Sequence, residues 1–310
     1  MSHVPVLLNE ILEALQPKPG KKFIDATANG GGHVQALLER GAEVLAIEWD
    51  EQLAKALNSK LQALGFKTPV VHDSYVNIVA IAKEHGFDQC DGVLFDLGFS
   101  SWQIEEAGRG FSFERDEPLD MRYNTADSQQ SQAESETAAD ILNGWSEQEL
   151  ADIFKEYGEE RFDGRIAHAI VQARRTSPIT RTLQLVEIVR EAVPFAYRRG
   201  KIHFATRVFQ ALRIAVNQEL ENLKKGIEAA VEVLSAGGGS SSGGKPGGRI
   251  AVIAFHSLED RIVKQYFREQ RKAGVVEILT KKPLRATLEE ITENRRSRSA
   301  KLRVAEKLEP

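Results

Sequence analysis

Three acidic residues stand where short apolar runs end, and this placement could support chemistry on a bound ligand. Asp25, Glu48 and Asp96 each follow a run rich in Val, Ile, Leu or Phe, as buried strands do. The carboxyl ends of parallel strands meet at one edge of a sheet, so we expect the three carboxylates to lie close together. Carboxylate oxygens accept hydrogen bonds, and here they could hold a ribose diol or an amino group.

A glycine-rich turn, residues 29–32, joins the first predicted strand to a helix that begins at His33. Such a turn lets the backbone approach a ligand closely, and the helix start adds N–H donors. The dinucleotide pattern G-x-G-x-x-G fails because Gln35 stands where the third glycine belongs. The acid at Asp25 would repel a pyrophosphate and suits a cationic ligand such as S-adenosylmethionine. These features favour a methyltransferase, with a dinucleotide enzyme and a purely structural turn as alternatives.

Elements in a regular alternation must position these residues. Apolar runs predict strands at 21–26, 43–48, 69–72 and 91–97, with helices at 33–40, 52–64 and 78–85 between them. Strands that alternate with helices indicate a parallel sheet covered on both faces. Helical periodicity then replaces this alternation, and one long amphipathic helix is predicted over 208–227 before strands return at 249–255, 275–280 and 301–306. We predict a methyltransferase domain of residues 1–105 plus 204–310, and an inserted helical substrate-recognition or RNA-recognition domain of residues 106–203.

The charge is divided unevenly along the chain. The net charge is −4, but residues 1–160 carry 12 Lys and Arg against 29 Asp and Glu, whereas residues 161–310 carry 29 against 16. Residues 161–213 are the densest part, with 11 basic and 3 acidic side chains. This asymmetry predicts that an anionic polymer meets the second half of the chain, the alternative being a solvated helical face.

Several classes of protein are excluded by what the sequence lacks. The single cysteine, Cys90, allows no internal disulfide, and the seven histidines are too scattered to give metal-site spacing. Cys90 also precedes the fourth strand, which disfavours the thiolate attack needed to methylate pyrimidine C5. No apolar run approaches the roughly 20 residues needed to cross a bilayer, and no signal peptide is recognisable. We therefore expect a cytoplasmic protein with no metal and no membrane partner.

Motifs occur from one end of the chain to the other, at residues 3–8 with Glu10, 25–27 with 31–33, 96–101 with Gln103, 109–113, 118–122, 157–161, 206–213, 255–264 and 298–303. Together they resemble the small-subunit ribosomal RNA (cytosine-N4)-methyltransferases, known as the RsmH or MraW family. The resemblance implies a class I methyltransferase fold, which is α/β and Rossmann-like with a mostly parallel seven-stranded sheet, and an inserted helical domain. It also implies S-adenosylmethionine as cofactor. The implied target is a cytosine in the decoding region of small-subunit (16S) ribosomal RNA, either as RNA or within the small ribosomal subunit.

The resemblance also assigns the cofactor contacts, which fall on Gly31, Gly32, His33, Glu48, Tyr75, Asp96 and Gln103. Three positions depart from the family pattern. Asn29 replaces a usual glycine, and Asn tolerates left-handed backbone better than most residues. Glu48 replaces Asp and Tyr75 replaces Phe.

Two residues are predicted to handle the target base. The amino nitrogen of cytosine is a weak nucleophile, so the enzyme must hold it in line and accept hydrogen bonds from it. Asp96 is the predicted acceptor, the alternative being a carboxylate that caps a nearby loop. His256 is predicted to contact the base or to relay its lost proton, the alternative being a histidine in a helix cap with Glu259 and Asp260. An RNA-binding ribosome-assembly factor that keeps a cofactor site without turnover is the alternative function.

Overall fold

Seven strands form one sheet in the order β3-β2-β1-β4-β5-β7-β6 in the computed structural model, which describes residues 5–98, 107–124, 136–238 and 246–309. The strands are β1 (Lys22–Asp25), β2 (Glu43–Glu48), β3 (Val70–His72), β4 (Gly92–Asp96), β5 (Arg249–Ala254), β6 (Val276–Ile278) and β7 (Lys301–Lys307). Neighbours among β1 to β5 pair in parallel, and β7 runs antiparallel to both β5 and β6. The predicted Rossmann-like, mostly parallel seven-stranded sheet is confirmed.

The order of the strands places the ligand site. From β1 the chain proceeds to β2 and β3 on one side, and then to β4 and β5 on the other. In open α/β sheets, ligands bind outside the carboxyl ends of the strands where this direction reverses. The reversal lies between β1 and β4, and these strands end at Asp25 and Asp96.

Alternating side chains of the central strands pack into two separate hydrophobic cores, one on each face of the sheet. Ile24, Leu45 and Val93 pack into one cluster, and Phe23 and Leu94 pack into the other. Both faces are covered because parallel strands joined by helical crossovers have helices above and below them. This explains why β4 is buried along its whole length and reads as a continuous apolar run.

The chain divides into two compact units, Met1–Gly98 with Leu220–Pro310 and Phe99–Glu219. Helices of the first unit are Leu8–Leu15, Gly32–Leu38, Glu51–Ala63, Ile78–His85, Ser257–Lys272 and Leu288–Glu293, and Glu219–Val233 begins at the boundary. Helices of the second unit are Ala138–Gly144, Glu147–Glu156, Asp163–Arg174, Thr182–Ala192, Phe195–Arg198 and Thr206–Asn217. None of the described helices is long and apolar enough to cross a membrane.

The single helix predicted over 208–227 is wrong, because the structure divides it into Thr206–Asn217 and Glu219–Val233. Gln218 adopts a left-handed conformation with φ of 49°. Directly before it, the buried Asn217 amide accepts a hydrogen bond from Tyr123 N at 2.8 Å and donates one to Met121 O at 2.7 Å. These bonds hold the helix end on a distant loop, which hydrophobic periodicity cannot reveal.

Candidate active site at the carboxyl edge of the sheet

Glu48 ties the glycine-rich turn to the end of β2. Its Oε2 accepts a hydrogen bond from Asn29 N at 2.7 Å, and its Oε1 accepts one from Asp50 N at 2.8 Å. Asn29 has a φ of 49°, so the residue that replaces a glycine does adopt the left-handed conformation. An ionised carboxylate offers about four acceptor positions, so each Glu48 oxygen keeps one for a ligand.

A short network fastens the end of β1 to the end of β4. Asp96 N donates to Thr27 Oγ1 at 2.6 Å, and Asn29 Nδ2 donates to Thr27 O at 3.0 Å and to Asp96 O at 3.3 Å. These bonds use the backbone of Asp96 and leave its carboxylate for other contacts. No local pattern in the sequence marks this role of Thr27, because its hydroxyl accepts a hydrogen bond from a residue 69 positions away.

The Asp96 side chain is buried next to His33. Its Oδ2 lies 3.6 Å from His33 Nδ1, and His33 Nε2 lies 3.0 Å from Val6 O. Because a carbonyl can only accept, the neutral His33 ring carries its proton on Nε2 and turns a lone pair toward Asp96. Asp96 Oδ1 is fully shielded from solvent and has no hydrogen-bond partner among the described residues.

Burial raises the pKa values of the three strand-end acids, and nearby carboxylates add to the rise at Glu48 and Asp96. Burial raises the pKa of Asp25 to about 7, although a hydrogen bond from the backbone N–H of Thr27 acts in the opposite direction. Burial also raises the pKa of Glu48 to about 7, although backbone N–H groups of Asp50 and Asn29 oppose the shift. The pKa of Asp96 is well above its usual value because of burial and then the nearby Asp25 and Glu259 carboxylates. Within the described chain, none of the three forms an ion pair with Lys or Arg, so a positively charged ligand would be stabilised here.

Both predicted cofactor glycines lie in tightly packed parts of the turn, and Gly31 also has a left-handed backbone. A Cβ at Gly31, where φ is 73°, would lie 2.2 Å from Leu57 Cδ1, and a Cβ at Gly32 would lie 3.0 Å from Pro5. These contacts press the turn against the helix Glu51–Ala63 and the N-terminal segment. The glycines therefore set the path of the turn through packing, whether or not they also touch a cofactor.

Tyr75 lies just beyond β3 and is half-buried. Its ring meets Phe95 of β4 edge-on, with 5.4 Å between ring centroids. A Cβ on Gly226 would lie 2.4 Å from Tyr75 Cδ2, so this glycine makes room for the ring. Tyr75 therefore sits close to the strand that ends in Asp96. Gln103, the remaining predicted cofactor contact, lies outside the described residues.

His256 is the N-cap of the helix Ser257–Lys272, which follows β5. Its Nδ1 accepts a hydrogen bond from Glu259 N at 3.4 Å, and Glu259 Oε2 accepts bonds from Phe255 N at 2.8 Å and His256 N at 3.2 Å. This is a capping box. His256 Nε2 is 3.3 Å from Glu259 Oε1 but makes no hydrogen bond with a described residue. His256 can therefore cap the helix through Nδ1 while its Nε2 makes no hydrogen bond within the described chain.

Asp96 Oδ1 and His256 Nε2 share a property that is rare in folded proteins. They are the two buried side-chain polar atoms, among the described residues, that have no hydrogen-bond partner. Buried polar atoms are nearly always paired, so unpaired ones call for an explanation such as a ligand. Asp96 ends β4 and His256 follows β5, and these two strands are neighbours in the sheet.

Cys90 does not have the environment of a reactive thiol. It is buried, and burial raises its pKa to about 12. Its backbone is held by a hydrogen bond from Cys90 N to Val233 O at 2.9 Å, before β4 begins. A thiolate nucleophile is therefore disfavoured at this position.

Comparison with known proteins identifies the family. The family model described as the MraW methylase family matches residues 1–308. This chain belongs to that family. A ribosomal RNA small subunit methyltransferase H from Desulfotalea psychrophila is 47% identical over 309 residues, covering 99% of this chain and 98% of the relative. Proteins of the same name from Carboxydothermus hydrogenoformans and Syntrophotalea carbinolica are 45% and 42% identical, each with 99% of this chain and 98% of the relative covered.

Proposed function

We propose that this protein transfers a methyl group from S-adenosylmethionine to the N4 amino group of a cytosine in the decoding region of small-subunit ribosomal RNA. The observation that carries the proposal is the pair of unpaired buried atoms, Asp96 Oδ1 and His256 Nε2, at the carboxyl edge of the sheet. Membership in a methylase family and the name of the relatives supply the reaction class and the substrate. Action on ribosomal RNA implies a cytoplasmic location.

The residues around the glycine-rich turn fit the cofactor. S-adenosylmethionine supplies an electrophilic methyl group on a positively charged sulfur. Glu48 is assigned to the ribose hydroxyls, because each of its oxygens keeps an acceptor position beside the backbone bond that orients it. The remaining contacts with S-adenosylmethionine are assigned to Gly31, Gly32, His33, Tyr75, Asp96 and Gln103. The uncompensated acids Asp25 and Asp96 favour a ligand with positive charge over a pyrophosphate.

Asp96 and His256 are assigned to the base. Asp96 Oδ1 accepts a hydrogen bond from the amino group, and this bond aligns the nitrogen for attack. His256 Nδ1 is occupied as the acceptor of the helix cap, so the neutral ring carries its proton on Nε2 and can donate to the acceptor edge of the cytosine. Both contacts require the base to leave any stack, which single-stranded RNA permits at low cost.

The inserted domain, residues 106–203, is assigned to RNA recognition, and its cations fall into two groups. Arg174 donates to Leu142 O at 2.7 Å and Arg181 is paired with Asp116 at 2.6 Å, so these side chains support the unit itself. Arg199 instead lies over the Phe195 ring, 4.7 Å from its centroid, and that ring is 63% exposed. An exposed aromatic ring beside arginine is suited to contacts with RNA bases and phosphates.

The test is methyl transfer with labelled S-adenosylmethionine to small-subunit particles and to naked ribosomal RNA, both from cells that lack this methylation. We expect N4-methylcytosine in the digested RNA, and its loss with Asp96→Asn. The exposed Asp88→Asn variant serves as the matched control. Formation of 5-methylcytosine would contradict the assignment of the amino group. Tight binding of cofactor and RNA without transfer to either substrate would favour the ribosome-assembly factor.

A further inference from the structure

A groove on the sheet-bearing unit carries cations that the assigned active site does not use. It runs between the helix Ser257–Lys272 and the end of β6, over the apolar side chains of Phe267 and Ile278. Four exposed cations line it, and they define the cationic groove: Lys264, Arg268, Arg271 and Lys281. No acidic side chain belongs to its lining among the described residues.

The four cations of the groove are unpaired. None of their side chains makes a hydrogen bond or ion pair with another residue in the described ranges. The same groove also contains Arg303, which is neutralised by Asp260 at 2.7 Å. Neighbouring charges of one sign repel each other, so an unpaired group of this kind is stabilised by an anion that binds between them.

The spacing of the cations follows the helix axis. Lys264, Arg268 and Arg271 lie at i, i+4 and i+7 and therefore share one face, with a rise of about 5.4 Å per turn. The helix dipole accounts for a cation in the last turn, such as Arg271, but not for Lys264 and Arg268, which lie earlier. The helix begins directly after His256, so the row of cations leads away from the candidate active site.

We propose that the cationic groove binds the phosphodiester backbone of the RNA segment that flanks the target cytosine. The inference rests on the proposed function, since it adds a second RNA contact on the sheet-bearing unit to the one assigned to the inserted domain. Regularly spaced phosphates match a row of cations one turn apart, and phosphate contacts position a nucleic acid without reading its sequence. The apolar floor formed by Phe267 and Ile278 keeps the cations at the rim, where they can reach a strand.

Salt-dependent RNA binding tests the groove. The triple variant Lys264→Ala, Arg268→Ala, Arg271→Ala is compared with Lys18→Ala, Lys67→Ala, Lys83→Ala, which removes three exposed lysines elsewhere in the same unit. The probe is an unmethylated ribosomal RNA fragment that contains the target cytosine, titrated at several NaCl concentrations. The groove variant should bind on the order of tenfold more weakly at 0.1 M salt, and its log–log salt slope should fall by about 0.7 for each contact removed. Cofactor affinity should stay unchanged.

A charge-retaining variant, Lys264→Arg, Arg268→Lys, Arg271→Lys, should keep near-wild-type RNA affinity. Equal affinities and slopes for the groove variant and the lysine control would overturn the groove while leaving the proposed function intact, provided that the wild type methylates the fragment. A wild type that methylates no ribosomal RNA would overturn the proposed function itself. If the triple alanine variant binds RNA as wild type does but no longer binds a polyglutamate peptide that wild type binds, the groove is a site for an acidic protein and the RNA proposal is rejected.

Discussion

Buried carboxylates lie at both edges of the sheet, and in the described part of the chain those at one edge have a cation beside them whereas those at the other have none. At the amino edge, Glu306 of β7 is fully buried and pairs with Arg249 of β5 at 3.0 Å. At the carboxyl edge, Asp25, Glu48 and Asp96 are almost as deeply buried, and none of them pairs with Lys or Arg among the described residues.

The difference separates stability from ligand binding. A buried ion pair compensates its own charge, so Glu306 needs nothing from outside the chain. The carboxyl edge instead holds acids whose pKa values are raised, which means that the surrounding protein disfavours their charged forms. A ligand with positive charge or hydrogen-bond donors recovers that energy when it binds. Substitutions at the two edges should therefore have opposite consequences for stability and activity.

The largest effect is expected at the amino edge. Glu306→Gln removes one partner of a buried pair and leaves the Arg249 charge uncompensated, so the free energy of unfolding should fall by about 3–5 kcal/mol. Urea denaturation followed by circular dichroism measures this change. Glu43→Gln, an exposed acid at the same edge, should lie within experimental error of wild type. A loss below 1 kcal/mol for Glu306→Gln would contradict the claim that the amino edge serves stability and the carboxyl edge serves ligand binding.

The next effect concerns Asp96 and should appear in the chemical step. Asp96→Asn keeps the shape of the side chain but replaces an acceptor with a competing NH₂ donor. The single-turnover methylation rate at saturating cofactor should fall by the equivalent of about 2.7–4 kcal/mol, as when one preorganised contact is removed. Urea stability should not decrease, because the amide carries no charge to bury. An unchanged rate would make His256 the leading residue for the base, with His256→Ala then expected to show the loss.

A smaller effect is expected for Glu48 and the cofactor. Glu48→Gln should weaken S-adenosylmethionine binding by about 1.5–3 kcal/mol, the range for hydrogen bonds to a charged group, as measured by calorimetry. Some loss of stability should accompany it, because one new NH₂ group faces the N–H of Asn29 or Asp50. Glu48→Asp should retain more affinity than Glu48→Gln because it restores the carboxylate. Unchanged affinity in Glu48→Gln would remove Glu48 from the cofactor site.

The smallest effect is expected in the pH dependence of stability without cofactor. Asp25 and Glu48 have folded pKa values of about 7, above their ordinary values of 3.8 and 4.5. Between about pH 4 and pH 7 the folded state therefore binds more protons than the unfolded state, so the free energy of unfolding falls as the pH rises through this range. The stability contributed by the two protonated acids is lost once the pH has risen through 7. Asp25→Asn should flatten this slope by at most about 1.4 kcal/mol per pH unit. Equal slopes for wild type and Asp25→Asn in urea titrations at pH 5, 6, 7 and 8 would contradict it.

Most of the sheet could be predicted because its signals are local. Each apolar run of the central strands is continuous, and the predicted strand 91–97 differs from the observed Gly92–Asp96 only at its ends. Helix starts were also close, as with Glu51–Ala63 against the predicted 52–64. The prediction of one long helix was wrong at Gln218 because a tertiary contact of Asn217 ends the helix there. No local propensity marks that position.

The family, the alternation of strands and helices, and the position of the three acids at strand ends can all be read from the sequence, because they depend on short motifs and apolar periodicity. Which buried polar atoms have partners depends instead on how the folded chain brings distant segments together. Glu306 meets Arg249 from 57 positions away, whereas Asp96 Oδ1 and His256 Nε2 meet no described residue. Hydrogen bonds and ion pairs of this kind form between segments that are distant in the chain, so they exist only after the strands have taken their places in the sheet.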